Sequence, residues 1–408
     1  MRFVFLAVVS SWLFFACGPT SSTCSESNCA GCCSAAGECV GGTLETACGS
    51  AGLLCNSCSG GQVCVAQRCE FPAVDAGVVS FDAGTPILPP AETWTWAGFP
   101  TSACGNGAPT GLGVNLTTRS KDLLIYLQGG GACWNALSCE YTATNLKEGY
   151  DGAAFAAEGQ LQAPPFSRVA MNNPFKDMSF VFVPYCTGDV HAGDAVKDYP
   201  AFVQGPINIP ARTVSHKGGK NMEAFLLRLK DTFPDAQRVF ISGSSAGAYG
   251  AQLNFERVRA TWPDAQVHLL ADCGQTVTPA GTLFGEWLAA WNLAVPADCT
   301  DCGTNFANYP QYLHAKYPAS RFGLLAYTQD STLRQFSGLD ATTFQQRTLE
   351  LTASAYDPTS NAKYFVLAGA THVMLGDFFT LQSPGGVKLV DWTAGLVSGA
   401  PAWQSVKP

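Results

Sequence analysis

The sequence predicts an α/β fold with a mostly parallel central sheet, preceded by a small disulfide-rich module. After residue 93, short apolar runs alternate with longer mixed segments, as strands alternate with crossover helices. Before that point, ten of the 18 cysteines lie within residues 24–69, where aliphatic residues are scarce. The six apolar runs are residues 123–127, 180–183, 239–241, 267–270, 323–327 and 364–367.

The N-terminus predicts export and a lipid anchor. Arg2 precedes an apolar stretch over residues 3–16 that is too short for a membrane-spanning helix. The stretch ends in Leu-Phe-Phe-Ala-Cys, which resembles a bacterial lipobox, so residues 1–16 are predicted to be a lipoprotein signal peptide and Cys17 the lipidated residue. Gly18 follows, which favours the outer membrane if the source is Gram-negative. The alternative is ordinary cleavage and free secretion.

Residues 17–69 are predicted to form a module held by five disulfides, because they offer almost no apolar core. Zinc is the less favoured alternative, since no histidine occurs before residue 191. The module would serve as a stalk, a spacer or a surface-binding piece. Residues 70–93 contain two Asp-Ala-Gly repeats and a Pro-Pro pair, which indicates a flexible linker, and residues 94–408 would form the catalytic domain.

Charge and cysteine content restrict the partners and the compartment. The formal net charge is −8 and no long basic run occurs, which excludes a nucleic-acid partner. The many cysteines are typical of a secreted protein in an oxidising compartment.

A nucleophile motif follows the third apolar run. Residues 243–247 read Gly-Ser-Ser-Ala-Gly, a GxSxG pattern that places Ser245 at a strained strand-to-helix turn. A glycine-rich turn is the alternative, but an apolar run precedes the motif and residues 246–254 are compatible with a helix. This context indicates an α/β-hydrolase fold with Ser245 as nucleophile.

A triple glycine provides candidate oxyanion donors. Residues 127–135 leave the first apolar run as Leu-Gln-Gly-Gly-Gly-Ala-Cys-Trp-Asn, and glycines there expose backbone N–H groups. We expect the N–H of Gly130 or Gly131 to act with that of Ala246, unless the glycines only form a tight turn. Trp134 is predicted to lie at the substrate pocket.

The base and the acid should follow the nucleophile in the order Asp, then His. His372 directly follows the last apolar run, whereas His268 lies within a run and His314 in a helical segment. Asp330 ends the second strand after the nucleophile and is favoured as the acid. Asp272 ends the first and is expected to be structural.

A metal site is the weaker interpretation of Asp189, His191 and Asp194, because their spacing matches no standard site. A role in ordering a loop or forming a pocket wall is favoured for them. His216 is expected to bond a backbone group. The predicted chemistry needs neither a metal nor an organic cofactor.

Five segments together resemble the pectin acetylesterase family, which includes plant pectin acetylesterases and Notum-like carboxylesterases. They are Cys-Gly-Asn-Gly-Ala-Pro from Cys104, Leu-Gln-Gly-Gly-Gly-Ala-Cys-Trp-Asn from Leu127, Val-Pro-Tyr-Cys-Thr-Gly-Asp-Val from Val183, the GxSxG motif, and Ala-Asp at 271–272.

The resemblance implies the same triad (Ser245, Asp330, His372) and the same oxyanion hole (Gly130, Gly131, Ala246). It also implies the disulfides Cys104–Cys186 and Cys133–Cys139. Gln128 stands where the family usually has Glu, and one of Cys273, Cys299 and Cys302 is left unpaired.

The favoured function is that of an extracellular serine carboxylesterase that removes O-acetyl groups from pectin-like polysaccharide through an acyl-enzyme. One alternative keeps the triad but acts on acyl lipids, acylated protein or polyester. A non-catalytic, surface-binding lipoprotein is a less favoured alternative. The predicted partners are the ester substrate and, through the anchor, a membrane.

Overall fold

A computed structural model describes residues 24–58, 63–70, 85–143 and 145–408. The predicted signal peptide and Cys17 lie outside the described residues, as does most of the predicted linker. The chain divides into two compact units, Met1–Gly77 and Val78–Pro408. Among the helices of the described ranges, none combines the length and the apolar character needed to cross a membrane.

The N-terminal unit is held together by covalent bonds. Its strands form three short antiparallel pairs: Cys32–Cys33 with Cys39–Val40, Thr43–Leu44 with Ala47–Cys48, and Val63–Val65 with Arg68–Glu70. The ten cysteines of residues 24–69 are paired, as Cys24–Cys33, Cys29–Cys39, Cys32–Cys55, Cys48–Cys64 and Cys58–Cys69. Five disulfides are therefore present, as predicted.

An eight-stranded mixed sheet forms the centre of the second unit. The strands are β1 (Thr95–Phe99), β2 (Thr110–Asn115), β3 (Leu123–Leu127), β4 (Ser179–Val183), β5 (Arg238–Ser244), β6 (Gln266–Asp272), β7 (Phe322–Tyr327) and β8 (Ala362–Leu367). Each of the six predicted apolar runs lies within one of the strands β3 to β8.

The spatial order of the sheet is β1-β2-β4-β3-β5-β6-β7-β8. Strands β4, β3, β5, β6, β7 and β8 pair in parallel, whereas β2 is antiparallel to both β1 and β4. The sheet is mostly parallel, as predicted, and the arrangement is consistent with an α/β hydrolase.

Helices connect the strands. They are α1 (Ala136–Tyr141), α2 (Gly152–Ala156), α3 (Gly218–Thr232), α4 (Ala246–Leu253), α5 (Phe255–Thr261), α6 (Leu283–Trp291), α7 (Asn308–Lys316), α8 (Ser331–Ser337), α9 (Ala341–Leu351) and α10 (Leu389–Ser398).

Shorter elements complete the unit. Single-turn 3₁₀ helices span Gly159–Gln162, Pro164–Phe166 and Leu375–Asp377, and a π-helical turn spans Thr352–Tyr356. Two additional antiparallel pairs join Ala195–Tyr199 to Arg212–His216 and Phe202–Gln204 to Ile207–Ile209.

The central strands are buried on both faces, which explains their nearly continuous apolar sequences. In β3, Leu123, Ile125 and Leu127 belong to one hydrophobic cluster, whereas Leu124 and Tyr126 belong to the cluster on the opposite face. This double burial fixes the positions of the strand ends, from which the candidate site is built.

Three disulfides join cysteines of the second unit. Cys104–Cys186 and Cys133–Cys139 are present, as the family resemblance implies, and Cys299 bonds Cys302. Cys273 is the unpaired cysteine of this group, and it is buried.

Candidate active site

Ser245 occupies a sharp turn between β5 and α4. Its φ of 58° and ψ of −124° are unusual for a residue with a side chain. The backbone N–H of Ser245 donates to the carbonyl oxygen of Asp272 on the neighbouring strand, at 2.8 Å. The predicted strained turn is therefore present, and a bond across the sheet holds it.

The two glycines of the GxSxG motif permit the close approach of strand and helix. A Cβ atom on Gly247 would lie 1.9 Å from the carbonyl oxygen of Leu127. A Cβ atom on Gly243 would lie 2.4 Å from the carbonyl oxygen of Gly247. Neither position has room for a larger residue, so the motif here is a packing requirement as well as a chemical one.

His372 and Asp330 form the predicted acid–base pair. Nδ1 of His372 lies 2.7 Å from Oδ2 of Asp330, whose side chain is fully buried. Oδ1 of Asp330 accepts the N–H groups of Thr332 and Leu333, at 3.0 and 2.9 Å, and so caps α8. With both oxygens engaged, the carboxylate holds the imidazole in one orientation.

Ser245 and His372 line the same open cleft. Within the described residues, no hydrogen bond joins their side chains. Hydrogen bonds between catalytic groups are often long in an unliganded enzyme and shorten when substrate binds. Two residues of the predicted triad thus line one cleft, and the third, Asp330, is joined to His372 by its hydrogen bond.

Asp272 supports the loop that carries His372. Its carboxylate accepts the N–H groups of Met374 and Leu375, at 2.8 and 3.1 Å, and the hydroxyl of Ser244 at 2.6 Å. Burial raises the pKa of Asp272, and these donors oppose the rise. Asp272 is thus a structural carboxylate beside the site, as expected.

The predicted oxyanion donors border Ser245. Gly130 and Gly131 line the open cleft, and Ala246 begins α4, where the first N–H groups of a helix have no carbonyl partner in that helix. Gly131 has a φ of 78°, and a Cβ there would lie 1.7 Å from the carbonyl oxygen of Thr142. Only glycine fits this turn.

His191 supports the same loop. Its Nε2 lies 2.8 Å from the carbonyl oxygen of Gln128, immediately before the triple glycine. Burial lowers the pKa of His191 to about 4. A neutral His191 can donate through Nε2–H, so it fixes the glycine loop without adding charge.

The loop-ordering interpretation of Asp189 fits its contacts. Its carboxylate accepts the N–H groups of His191, Gly193 and Gly218 and the hydroxyl of Thr187. Asp194 instead pairs with Lys217, with Nζ 2.9 Å from Oδ1.

The remaining histidines have structural partners. His216 contacts the carbonyl oxygen of Thr187 and the hydroxyl of Tyr199, both at 2.8 Å. His268 is buried against Arg321, and Nδ1 of His314 lies 2.8 Å from the carbonyl oxygen of Ala355. None of these three histidines is among the residues that line the cleft in the described chain.

Two cavities meet at Ser245 and Gly131. The first is apolar, has a volume of about 40 Å³ and is walled mainly by aromatic and aliphatic side chains, including Phe284, Trp287 and Phe336. The second is the open cleft, of about 670 Å³, whose walls combine apolar side chains with polar ones that include Gln128 and Glu158. An ester bound at Ser245 would therefore have different surroundings on its two sides.

Trp134 does not line either cavity within the described chain. It packs against Trp287, with ring centroids 5.7 Å apart, and Trp287 lines the apolar cavity. Its predicted role at the substrate pocket would therefore be exerted through Trp287.

Sequence reasoning missed the chain of hydroxyl groups below the nucleophile. The hydroxyl of Tyr126 donates to Oγ of Ser244, at 2.9 Å, and Ser244 donates to Asp272. The sequence offered one indication of this chain, namely the hydroxyl of Tyr126 within the otherwise apolar run LLIYL. The cleft residues Glu158 and Gln160 lie at a single-turn 3₁₀ helix, whose sequence gives no such signal.

Comparison with known proteins finds carboxylesterases among the similar sequences. Residues 99–283 match the family model described as pectinacetylesterase. Palmitoleoyl-protein carboxylesterase notum2 of Xenopus laevis is 27% identical over 179 residues, which cover 42% of this chain and 34% of the relative. Palmitoleoyl-protein carboxylesterase NOTUM of Homo sapiens is 27% identical over 231 residues, which cover 48% of this chain and 42% of the relative.

The matches thus cover less than half the length of these curated relatives. Both relatives are carboxylesterases by name, and the matched segment contains the serine turn and the triple glycine. These matches support the resemblance to the pectin acetylesterase and Notum-like family that the sequence motifs indicate.

Proposed function

We propose that this protein is a serine carboxylesterase with an α/β-hydrolase fold that works through an acyl-enzyme at Ser245. One observation carries the proposal. The Asp330-bound imidazole of His372 and the strained Ser245 line the same cleft, with glycine N–H groups beside them. This is the arrangement that nucleophilic acyl transfer requires.

In the proposed reaction, His372 accepts the proton of Ser245 through Nε2 as Oγ attacks the ester carbonyl. Asp330 keeps the proton on Nδ1 and stabilises the imidazolium. The N–H groups of Ala246 and of Gly130 or Gly131 stabilise the oxyanion, at about 3 kcal/mol for each donor. The alcohol leaves with the proton from His372, and water then hydrolyses the acyl-enzyme by the same steps in reverse.

The apolar cavity supports a short acyl group. Its volume is about 40 Å³. An apolar cavity of roughly 150 Å³ is known to hold benzene, a molecule of six carbons. A cavity of about a quarter of that size suits an acetyl group.

The open cleft supports a polar alcohol. Gln128, Asn145, Glu158, Gln160 and Thr332 line it and offer donors and acceptors to sugar hydroxyl groups. We therefore favour O-acetyl groups of a carbohydrate as substrate. The family model's name is consistent with a pectin-like polysaccharide.

Deacylation of an acylated protein is the second candidate, because the two relatives are named for that activity. It would require the apolar cavity to widen for a long chain. A surface-binding lipoprotein without catalysis is not favoured, since the three side chain types of the triad are present at one site.

The disulfides and the relatives favour a secreted protein. Attachment of a lipid at Cys17, and the resulting anchorage at an outer membrane or cell surface, remain proposals from the sequence.

Hydrolysis of p-nitrophenyl esters of increasing chain length tests the proposal. We expect acetate to be preferred, and Ser245→Ala to lower kcat by at least about 10⁴-fold. Ser398→Ala, on the exposed face of α10, is the matched control and should retain activity.

A fluorophosphonate probe should label Ser245. Full activity of Ser245→Ala, or labelling of another residue, would contradict the assignment, and preference for long chains would favour the acyl-protein candidate.

A further inference from the structure

Within the described chain, the residues that line the open cleft include one carboxylate and neither lysine nor arginine. Among the residues of the described chain that line the cleft, Glu158 and His372 are the ones with ionisable charge. His372 is already paired with Asp330. An alcohol bound in this cleft therefore meets a negative group and finds neither Lys nor Arg there.

Neutral donors hold Glu158 in place. Oε2 accepts from Nε2 of Gln128, at 2.8 Å, and from the hydroxyl of Tyr150, at 3.2 Å. Oε1 accepts the N–H of Gln160, at 2.9 Å. Within the described residues no cation forms an ion pair with Glu158. These hydrogen bonds fix the carboxylate but leave its charge uncompensated.

The charge of Glu158 also acts on Tyr126, a cleft residue close to the nucleophile. Tyr126 lines the same cleft and donates to Ser244, the residue before the nucleophile. Burial raises the pKa of Tyr126, and the charges of Asp272 and Glu158 raise it further. The formal net charge of the chain, −8, has the same sign.

From this cleft we infer that the sugar carrying the acyl group is uncharged at the position facing Glu158: a neutral sugar, or a uronate whose carboxyl group is esterified. A free uronate would bring a second carboxylate into a cleft whose described lining residues include no lysine or arginine to bind it. The inference rests on the proposed function and narrows its substrate class.

The test compares two acetylated oligogalacturonates that differ only in charge, one with free carboxylates and one with methyl-esterified carboxyl groups. At low salt, kcat/KM for acetate release should be about fivefold higher for the esterified oligomer. This is the effect of two like charges roughly 8–10 Å apart in a partly hydrated cleft. The preference should shrink at about 1 M NaCl, where the screening length is about 3 Å.

Variants assign the effect to one residue. Glu158→Gln retains one oxygen, which can still accept the N–H of Gln160, and it should reduce the preference toward unity. Glu350→Gln removes an exposed carboxylate on α9 and should leave the preference intact.

Equal rates on the two oligomers, faster release from the free acid, or an unchanged preference in Glu158→Gln would overturn the inference. So would the absence of release from both oligomers by a protein that hydrolyses p-nitrophenyl acetate. Hydrolysis of p-nitrophenyl acetate that persists in Ser245→Ala would instead overturn the proposed function.

Discussion

The backbone N–H of Met374 donates to Oδ1 of Asp272 across 2.8 Å, which ties the loop carrying His372 to the strand beside the nucleophile. Asp330 approaches the same histidine from the other side, at Nδ1. The two carboxylates thus perform different tasks around one imidazole: Asp330 orients the ring and Asp272 holds its backbone.

This division predicts different effects of removing each charge. Asp330→Asn should lower kcat by about 10⁴-fold with a nearly unchanged melting temperature, because it favours the wrong tautomer of His372. Asp272→Asn should destabilise the fold by about 1–3 kcal/mol, because it disturbs buried hydrogen bonds. Ester hydrolysis and urea unfolding of both variants provide the measurements, and a larger loss of kcat in Asp272→Asn would reverse the assignment.

The size of the apolar cavity predicts the acyl preference. Phe336 lines this cavity, so Phe336→Ala should enlarge it and raise the ratio of kcat/KM for butanoate over acetate by about tenfold. Phe379→Ala removes a partly buried ring from the other hydrophobic cluster and serves as the control. Equal chain-length profiles for wild type and Phe336→Ala would show that the acyl group binds elsewhere.

Buried histidines predict a loss of stability in acid. Burial lowers the pKa of His314 to about 4 and that of His268 to about 3, against 6.5 for an ordinary histidine. Below pH 6.5 the unfolded chain therefore binds protons that the folded chain excludes. The free energy of unfolding should fall between pH 7 and pH 5 by about 2 kcal/mol for each of the two residues.

Urea unfolding at pH 7 and pH 5 measures this loss. In His314→Gln the loss should be smaller by about 2 kcal/mol, whereas Lys230→Gln, a change at a partly exposed position on α3, should leave it unchanged. A loss in His314→Gln as large as in the wild type would indicate that other groups determine the acid sensitivity.

The unpaired cysteine should be inert in the folded protein. Cys273 is fully buried, and burial raises the pKa of its thiol well above the usual value, so little thiolate forms. The Sγ atom of Cys273, a carboxylate oxygen of Asp330 and a ring nitrogen of His372 all lie within 4.8 Å of one another.

Iodoacetamide should therefore leave Cys273 unmodified in the native state and alkylate it after unfolding, as read by mass spectrometry of its peptide. Cys273→Ser is the matched blank. Rapid alkylation of the native protein with loss of activity would show that the thiol is reachable.

Local patterns predicted much of the fold and part of the site. The apolar runs became strands β3 to β8 because a strand buried on both faces needs continuous apolar sequence. The serine turn depends on residues that are adjacent in the chain, so its motif could be recognised in the sequence. His372 could be predicted because it comes soon after the last strand.

The residues that line the two cavities could not be predicted from local sequence patterns. Phe284 and Trp287 lie on α6 and Phe336 on α8, and they meet only after the chain has folded. Glu158 precedes a 3₁₀ turn with no periodic pattern, so nothing in the neighbouring sequence indicates that it lines the same cleft as the nucleophile. The position of Trp134 behind Trp287 likewise depends on packing between distant segments.

The two units depend on different forces, and this has a consequence for their behaviour under reducing conditions. The hydrophobic clusters of the described chain begin at Ile87, so the N-terminal unit has its five cross-links in place of a core. Dithiothreitol should unfold residues 24–69, because none of the hydrophobic clusters among the described residues includes that segment. The sheet of the second unit should survive the same treatment. A reduced sample would then contain an unfolded N-terminal unit attached to a folded second unit.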